Sequence, residues 1–110
     1  MSGTRRRVLL DECLPNALRH DLSMFDVQTA QYAGLAGFKN GALIAASNGR
    51  FDVFVTVDRN LQFQHNLGAI TFAIIVLRLP TNRLPDIRSV LPNLHNAVAT
   101  IASGQIQTVV

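Results

Sequence analysis

Two short apolar runs in this sequence end in acid. Val8-Leu9-Leu10 leads into Asp11 and Glu12, and the run from Asp52 through Val57 leads into Asp58. There is no cysteine pair and no histidine at ligand spacing, so these carboxylates favour a hard divalent cation bound through oxygen, Mg²⁺ or Mn²⁺. Such an ion lowers the pKa of a bound water and stabilises charge on a phosphate during in-line displacement, which is nuclease or phosphatase chemistry. A purely local reading stands beside this one: Asp11 caps the first helix and Asp58 caps a turn, because aspartate is favoured at such positions for its own hydrogen bonds.

The elements that would position these acids are legible in the apolar pattern. Val53-Phe54-Val55-Thr56-Val57 has no polar alternation, the pattern of a strand covered on both faces in a parallel sheet flanked by helices. Open parallel sheets bind ligands outside the carboxyl ends of their strands, where Asp58 falls. If the strand of Val8–Leu10 is its neighbour, three carboxylates from distant parts of the chain meet at one edge.

In chain order, a helix is expected from Leu14-Pro15, with Leu14, Leu18 and Leu22 as its apolar stripe. A short strand over Phe25–Thr29 follows, then a glycine-bearing loop over Gln31–Gly41. Asn40 is placed to cap a small helix over Gly41–Ser47. Beyond Asp58, Arg59 to Gly68 reads as a polar loop rich in amides, and Phe72–Leu79 as a fourth buried strand. Ile87, Val90, Leu91, Leu94, Val98 and Ile101 mark a helical stripe with Pro92 inside it, giving two helices or one with a kink. Gln105–Val110 supplies a last strand. The order is that of an α/β sandwich around a mainly parallel sheet.

Composition bounds the function. The 110 residues are 48% hydrophobic, enough for one domain with a real core and too few for two. Arg5, Arg6 and Arg7 supply three positive charges, equal to the formal net charge of +3, so the body from residue 8 onward is neutral. Residues 1–6 read as a flexible basic leader, more a solvated run than a phosphate clamp. Cys13 is the single cysteine and reads as a small buried hydrophobe in a chain suited to the reducing cytoplasm. The longest apolar run, Ile70–Leu77, is well short of the ~20 residues that a membrane span needs. Asp11 and Glu12 break any secretory signal. His20, His65 and His95 are isolated and read as surface or loop residues. Phe25, Tyr32, Phe38, Phe51 and Phe63 either cover core edges or line a partner surface, which leaves a homodimer open.

The segment Val8-Leu9-Leu10-Asp11-Glu12-Cys13-Leu14-Pro15, followed by Phe54-Val55-Thr56-Val57-Asp58-Arg59-Asn60-Leu61, resembles the PIN-like proteins, relatives of the toxin ribonucleases of toxin–antitoxin pairs. Lys39-Asn40-Gly41, Ile74-Ile75-Val76-Leu77-Arg78 and Asn82-Arg83 extend the resemblance over nearly the whole chain. It implies a PIN-like three-layer α/β sandwich, with a central, mainly parallel sheet of four or five strands between helices. It also implies a Mg²⁺- or Mn²⁺-dependent endoribonuclease site at the carboxyl edge of that sheet, and an antitoxin protein as partner. Carried over by position, Asp11 and Asp58 hold the metal and Glu12 assists. The family has a further acid at the start of the second helix, where this chain has Lys39-Asn40-Gly41-Ala42, and another two residues past the T-x-D, where it has Asn60. Asn40 is then a neutral metal ligand and Asn60 orients water or phosphate. Arg59, Arg78, Arg83 and Lys39 would contact the RNA backbone.

Two other readings belong to different classes. A non-catalytic interaction module would keep the fold and lose the chemistry, as the amides at 40 and 60 suggest. A phosphoacceptor receiver also places an acidic pair after its first strand and an aspartate after its third. It calls for two more βα units and a lysine near the last strand, and this chain has no lysine after Lys39.

Overall fold

The computed structural model describes residues 5–37, 45–57 and 71–110. Five strands, β1 (Arg7–Leu10), β2 (Asp26–Thr29), β3 (Val53–Thr56), β4 (Ala73–Leu77) and β5 (Ile106–Val109), form one sheet in the order β2-β1-β3-β4-β5. Every neighbouring pair is parallel. Three described helices accompany them: α1 (Leu18–Asp21), α2 (Leu84–Ser89) and α3 (Leu91–Thr100). Residues 45–47 are also helical. The α/β class and the central parallel sheet expected from the sequence are therefore observed.

The unbroken apolar runs have their cause in burial on both faces. Val53, Val55, Ala73, Ile75 and Leu77 pack with Leu14, Leu18, Leu22, Ile87, Leu94 and Val98 on one side. Phe54, Ile74 and Val76 pack with Ala30, Leu35, Phe51 and Phe72 on the other. Consecutive strand residues thus enter different cores, and neither face tolerates a polar side chain without a partner. A single truncation at the centre, such as Ile75→Ala, is expected to cost about 2–5 kcal/mol in lost burial and cavity formation.

Helix boundaries depart from the sequence reading in two places. The first helix was expected from Pro15, but α1 begins at Leu18. The stretch before it is held by three-residue turns: Leu14 N–H to Asp11 O, Leu18 N–H to Pro15 O, Arg19 N–H to Asn16 O and His20 N–H to Ala17 O. The stripe of Leu14, Leu18 and Leu22 is buried all the same, because tight turns keep side chains three to four apart on one side. Further on, two helices form and the break is at Val90, not at Pro92. Pro92 lies in the first turn of α3, where an imino nitrogen sacrifices no hydrogen bond.

The chain steps from β1 outward to β2 and then back across β1 to β3. The β1–β3 boundary is therefore the point at which the winding reverses, and in doubly wound sheets the ligand crevice opens there, outside the carboxyl ends of the strands.

Candidate functional site

Register places the carboxyl end of β1 beside that of β3: Leu10 pairs with Val55, and the Asp11 N–H continues the ladder by donating to Val55 O at 3.0 Å. Asp11 then leaves the sheet into a turn closed by the Leu14 N–H on the Asp11 carbonyl at 3.0 Å. Its carboxylate is fixed at both oxygens. Oδ1 accepts the Glu12 N–H at 2.8 Å, and Oδ2 accepts the Thr56 hydroxyl at 2.6 Å. The second bond joins residues 45 apart in sequence and sets the carboxylate across the switch point. Asp11 is not the side-chain cap of α1, whose N-cap position is Ala17 without a capping bond.

Glu12 turns toward the loop that follows β2. Its Oε2 accepts the Gly37 N–H at 3.0 Å. Gly37 has φ +83°, a left-handed conformation that a side chain would strain, and this turn aims its amide at Glu12. From the other side, Asn82 Nδ2 donates to the Cys13 carbonyl at 2.6 Å, tying the loop after β4 to the segment that carries the acids. Thr81, Asn82 and Arg83 form a compact turn in which Thr81 Oγ1 donates to Asp86 Oδ2 at 2.5 Å and accepts the Arg83 N–H at 3.1 Å.

Cys13 is an exposed residue, not the buried hydrophobe expected. Partial burial of its thiol, with the Asp11 carboxylate beside it, pushes its pKa from an ordinary 9.0 up to about 11, so it stays protonated at neutral pH. Among the described residues the charged donors at this edge are thus oxygens alone, the set suited to a hard cation.

Of the remaining expected site residues, Arg78 directly follows β4 and Arg83 precedes α2, both on the carboxyl side of the sheet. Both are exposed, and among the described residues neither guanidinium has a hydrogen bond or ion pair. Asp58, Asn60, Asn40, Arg59 and Lys39 lie outside the described residues. Asp58 follows Val57 directly in the chain. Among the described residues no group of three or more His, Cys, Asp or Glu could hold a metal ion. The described oxygen donors fit part of such a site, one carboxylate at the switch point with Glu12 beside it.

Thr56 and Asn82 are the members of this site whose roles sequence reasoning missed. Thr56 is fully buried yet polar, at the end of an otherwise apolar strand, and that exception was the available signal. Asn82 offers none, because its contact with Cys13 spans 69 residues. Of the aromatics, Phe51 is buried and Phe25 packs against the core, whereas Tyr32 is 80% exposed; Phe38 and Phe63 lie outside the described residues. His95 donates from Nε2–H to the Asp21 carbonyl, 2.7 Å away, and serves the packing of α3; His20 is exposed and His65 lies outside the described residues. No described helix is long and apolar enough to cross a membrane. Comparison with protein-family models, curated proteins and solved structures finds no match to this chain.

Proposed function

We propose that this protein is a metal-dependent endoribonuclease of PIN type working at the carboxyl edge of its sheet. The observation that carries the reading is the Thr56–Asp11 hydrogen bond: it fixes a carboxylate at the β1–β3 switch point, and Thr56 stands two residues before Asp58 in the chain. Asp11 and Asp58 would hold Mg²⁺ or Mn²⁺, with Glu12 and Asn40 assisting and Asn60 orienting water or phosphate. When bound, the ion neutralises charge on the scissile phosphate and acidifies a neighbouring water. Asp11 contributes a carboxylate whose rotamer is already set, so little ordering remains to be done on binding. Arg78 and Arg83, exposed and without an acidic partner among the described residues, would take the RNA backbone with Arg59 and Lys39. A cytoplasmic toxin held in check by an antitoxin protein is the setting that this reading implies.

The test is cleavage of single-stranded RNA with and without Mg²⁺. Asp11→Asn and Asp58→Asn should each abolish Mg²⁺-dependent cleavage that the wild-type chain performs. Cleavage persisting in both variants would remove the mechanism.

Strand order favours one second reading. The sequence β2-β1-β3-β4-β5 is also that of flavodoxin-like receivers, and five strands are present, so the deficit in βα units does not arise. On this reading Asp58 would accept a phosphoryl group next to Asp11 and Glu12. The missing lysine after Lys39 weighs against it. Incorporation of phosphate from acetyl phosphate, lost in Asp58→Asn, would establish the receiver in place of the nuclease.

A further inference from the structure

One edge of the described sheet has no neighbouring strand. Among the described residues β2 lies at the end of the sheet and pairs with β1 alone. The Asp26 N–H donates to Arg6 O and the Ala30 N–H to Leu10 O, so residues 26, 28 and 30 turn their backbone groups toward β1. Along a strand these directions alternate, and residues 27 and 29 therefore face outward. The Thr29 carbonyl agrees with this, since it accepts the Ala33 N–H outside the sheet. The N–H and C=O of Val27 and the N–H of Thr29 remain directed away from β1, with no partner strand among the described residues.

Clefts flank this edge on both faces. One of about 600 Å³ borders Phe25, Asp26 and Val27 beneath Arg5, Arg19 and His20. Another of about 300 Å³ follows Val27 to Thr29 between Arg19 and Tyr32. On the opposite face, a third of about 230 Å³ borders Asp26 and Gln28 beside Arg50 and Phe51. The charge around them is one-sided. Arg7 is neutralised by Asp52, but Arg5 bonds only to the Ser23 carbonyl and Arg50 only to the Ala33 carbonyl among the described residues. Among the described residues Arg19 has no side-chain partner and Asp26 is the one acid lining the three clefts.

We propose that the β2 edge docks an acidic peptide segment in extended conformation, which adds to the sheet as a sixth strand beside Val27 and Thr29. Backbone hydrogen bonds would supply affinity, and consecutive acidic side chains, which point to opposite faces of a strand, would enter the clefts toward Arg19 on one face and Arg50 on the other. A nucleic acid would satisfy the arginines and make no use of the outward N–H and C=O of Val27, which is why a peptide is the better fit. Docking at this edge is independent of the chemistry at Asp11.

The probe is a fluorescein-labelled peptide, Val-Glu-Glu-Val-Glu-Glu-Val, whose neighbouring glutamates point to opposite faces of an added strand, followed by fluorescence anisotropy in low salt. Saturable binding is expected. It should weaken at least about tenfold in the double variant Arg19→Glu/Arg50→Glu and in Val27→Pro, which removes one outward donor at a position not bonded to β1. Should Val27→Pro fail to fold, the same peptide N-methylated at every backbone amide tests the ladder from the ligand side and should lose binding by a similar factor. Asp11→Asn should bind as wild type does. Absence of saturable binding, equal binding of the N-methylated peptide, or displacement of the peptide by oligouridylate at this edge would each overturn the proposal; the first would leave the arginines as guards against edge-to-edge aggregation.

Discussion

The Thr56 hydroxyl donates to Asp11 Oδ2 at 2.6 Å across the boundary between β3 and β1. Thr56 is fully buried and Asp11 partly so, which makes this a charge-assisted bond in a shielded place. Replacing Thr56 by valine keeps the shape and removes the donor. Thr56→Val is expected to lose about 1–3 kcal/mol of stability, and Thr56→Ser to lose less. Denaturant melts of the two variants check this. If the proposed nuclease reading holds, Thr56→Val also lowers the Mg²⁺-dependent cleavage rate at saturating metal while Thr56→Ser restores most of it.

Cys13 gives a test that depends on the same carboxylate. Its thiol pKa is raised to about 11 by partial burial and then by Asp11, so in EDTA-treated protein alkylation by iodoacetamide should be slow at pH 8 and rise as the pH approaches 11. In Asp11→Asn the rise should move to lower pH. A thiol that titrates near 9 in the wild-type chain would contradict the geometry around Asp11.

Arg78 and Arg83 are exposed, have no partner among the described residues and share the carboxyl edge with Asp11. The double variant Arg78→Ala/Arg83→Ala should weaken binding of single-stranded RNA and reduce the slope of log K against log salt by roughly 1.4, about 0.7 for each phosphate that is no longer neutralised. Folding should be unaffected, since neither guanidinium bonds to another of the described residues. An unchanged salt slope would take both arginines out of the RNA path.

At the other end of the strands, Asp52 Oδ2 accepts the Arg7 backbone N–H at 2.7 Å and Arg7 Nε at 3.3 Å. Partial burial alone would raise the Asp52 pKa, but the Arg7 bonds outweigh it and hold the carboxyl below its ordinary 3.8. A depressed native pKa means stability present above pH 3.8 and lost as the pH falls through the native value. Because both side chains are more than a third exposed, the contribution is under about 1 kcal/mol. Asp52→Asn should therefore flatten the acid limb of the stability curve slightly. Identical acid limbs would show that the pair contributes nothing.

How far the sequence announces this architecture follows from where each residue is buried. β3 and β4 are legible because burial on both faces forces unbroken apolar runs at Val53–Val55 and Ala73–Leu77. The stripe of Leu14, Leu18 and Leu22 is legible as a buried face but not as a helix boundary, because three-residue turns around Pro15 put the same side chains in the same core. Cys13 misleads, since the usual burial of a lone cysteine says nothing about a turn that faces solvent. In the candidate site, Asp11 and Glu12 are announced by acid at the end of an apolar run. Of the groups that hold this segment in place, Thr56 is marked only as the polar exception in an apolar strand, while Gly37 and Asn82 act across 25 and 69 residues of chain and have no local signature. Arg5 and Arg6, read as part of a solvated leader, hydrogen-bond to the carbonyls of Ser23 and Ile101, again through contacts that only the fold creates.

Whether Asp11 and Asp58 hold one hard cation at the β1–β3 switch point is tested most directly by anomalous scattering from crystals soaked in Mn²⁺. A shared ion should give a single strong peak about 2 Å from a carboxylate oxygen of each residue, absent in Asp11→Asn crystals. A soaked crystal in which no manganese lies between those two side chains, or in which they point to different sides of the sheet, would contradict that proposal.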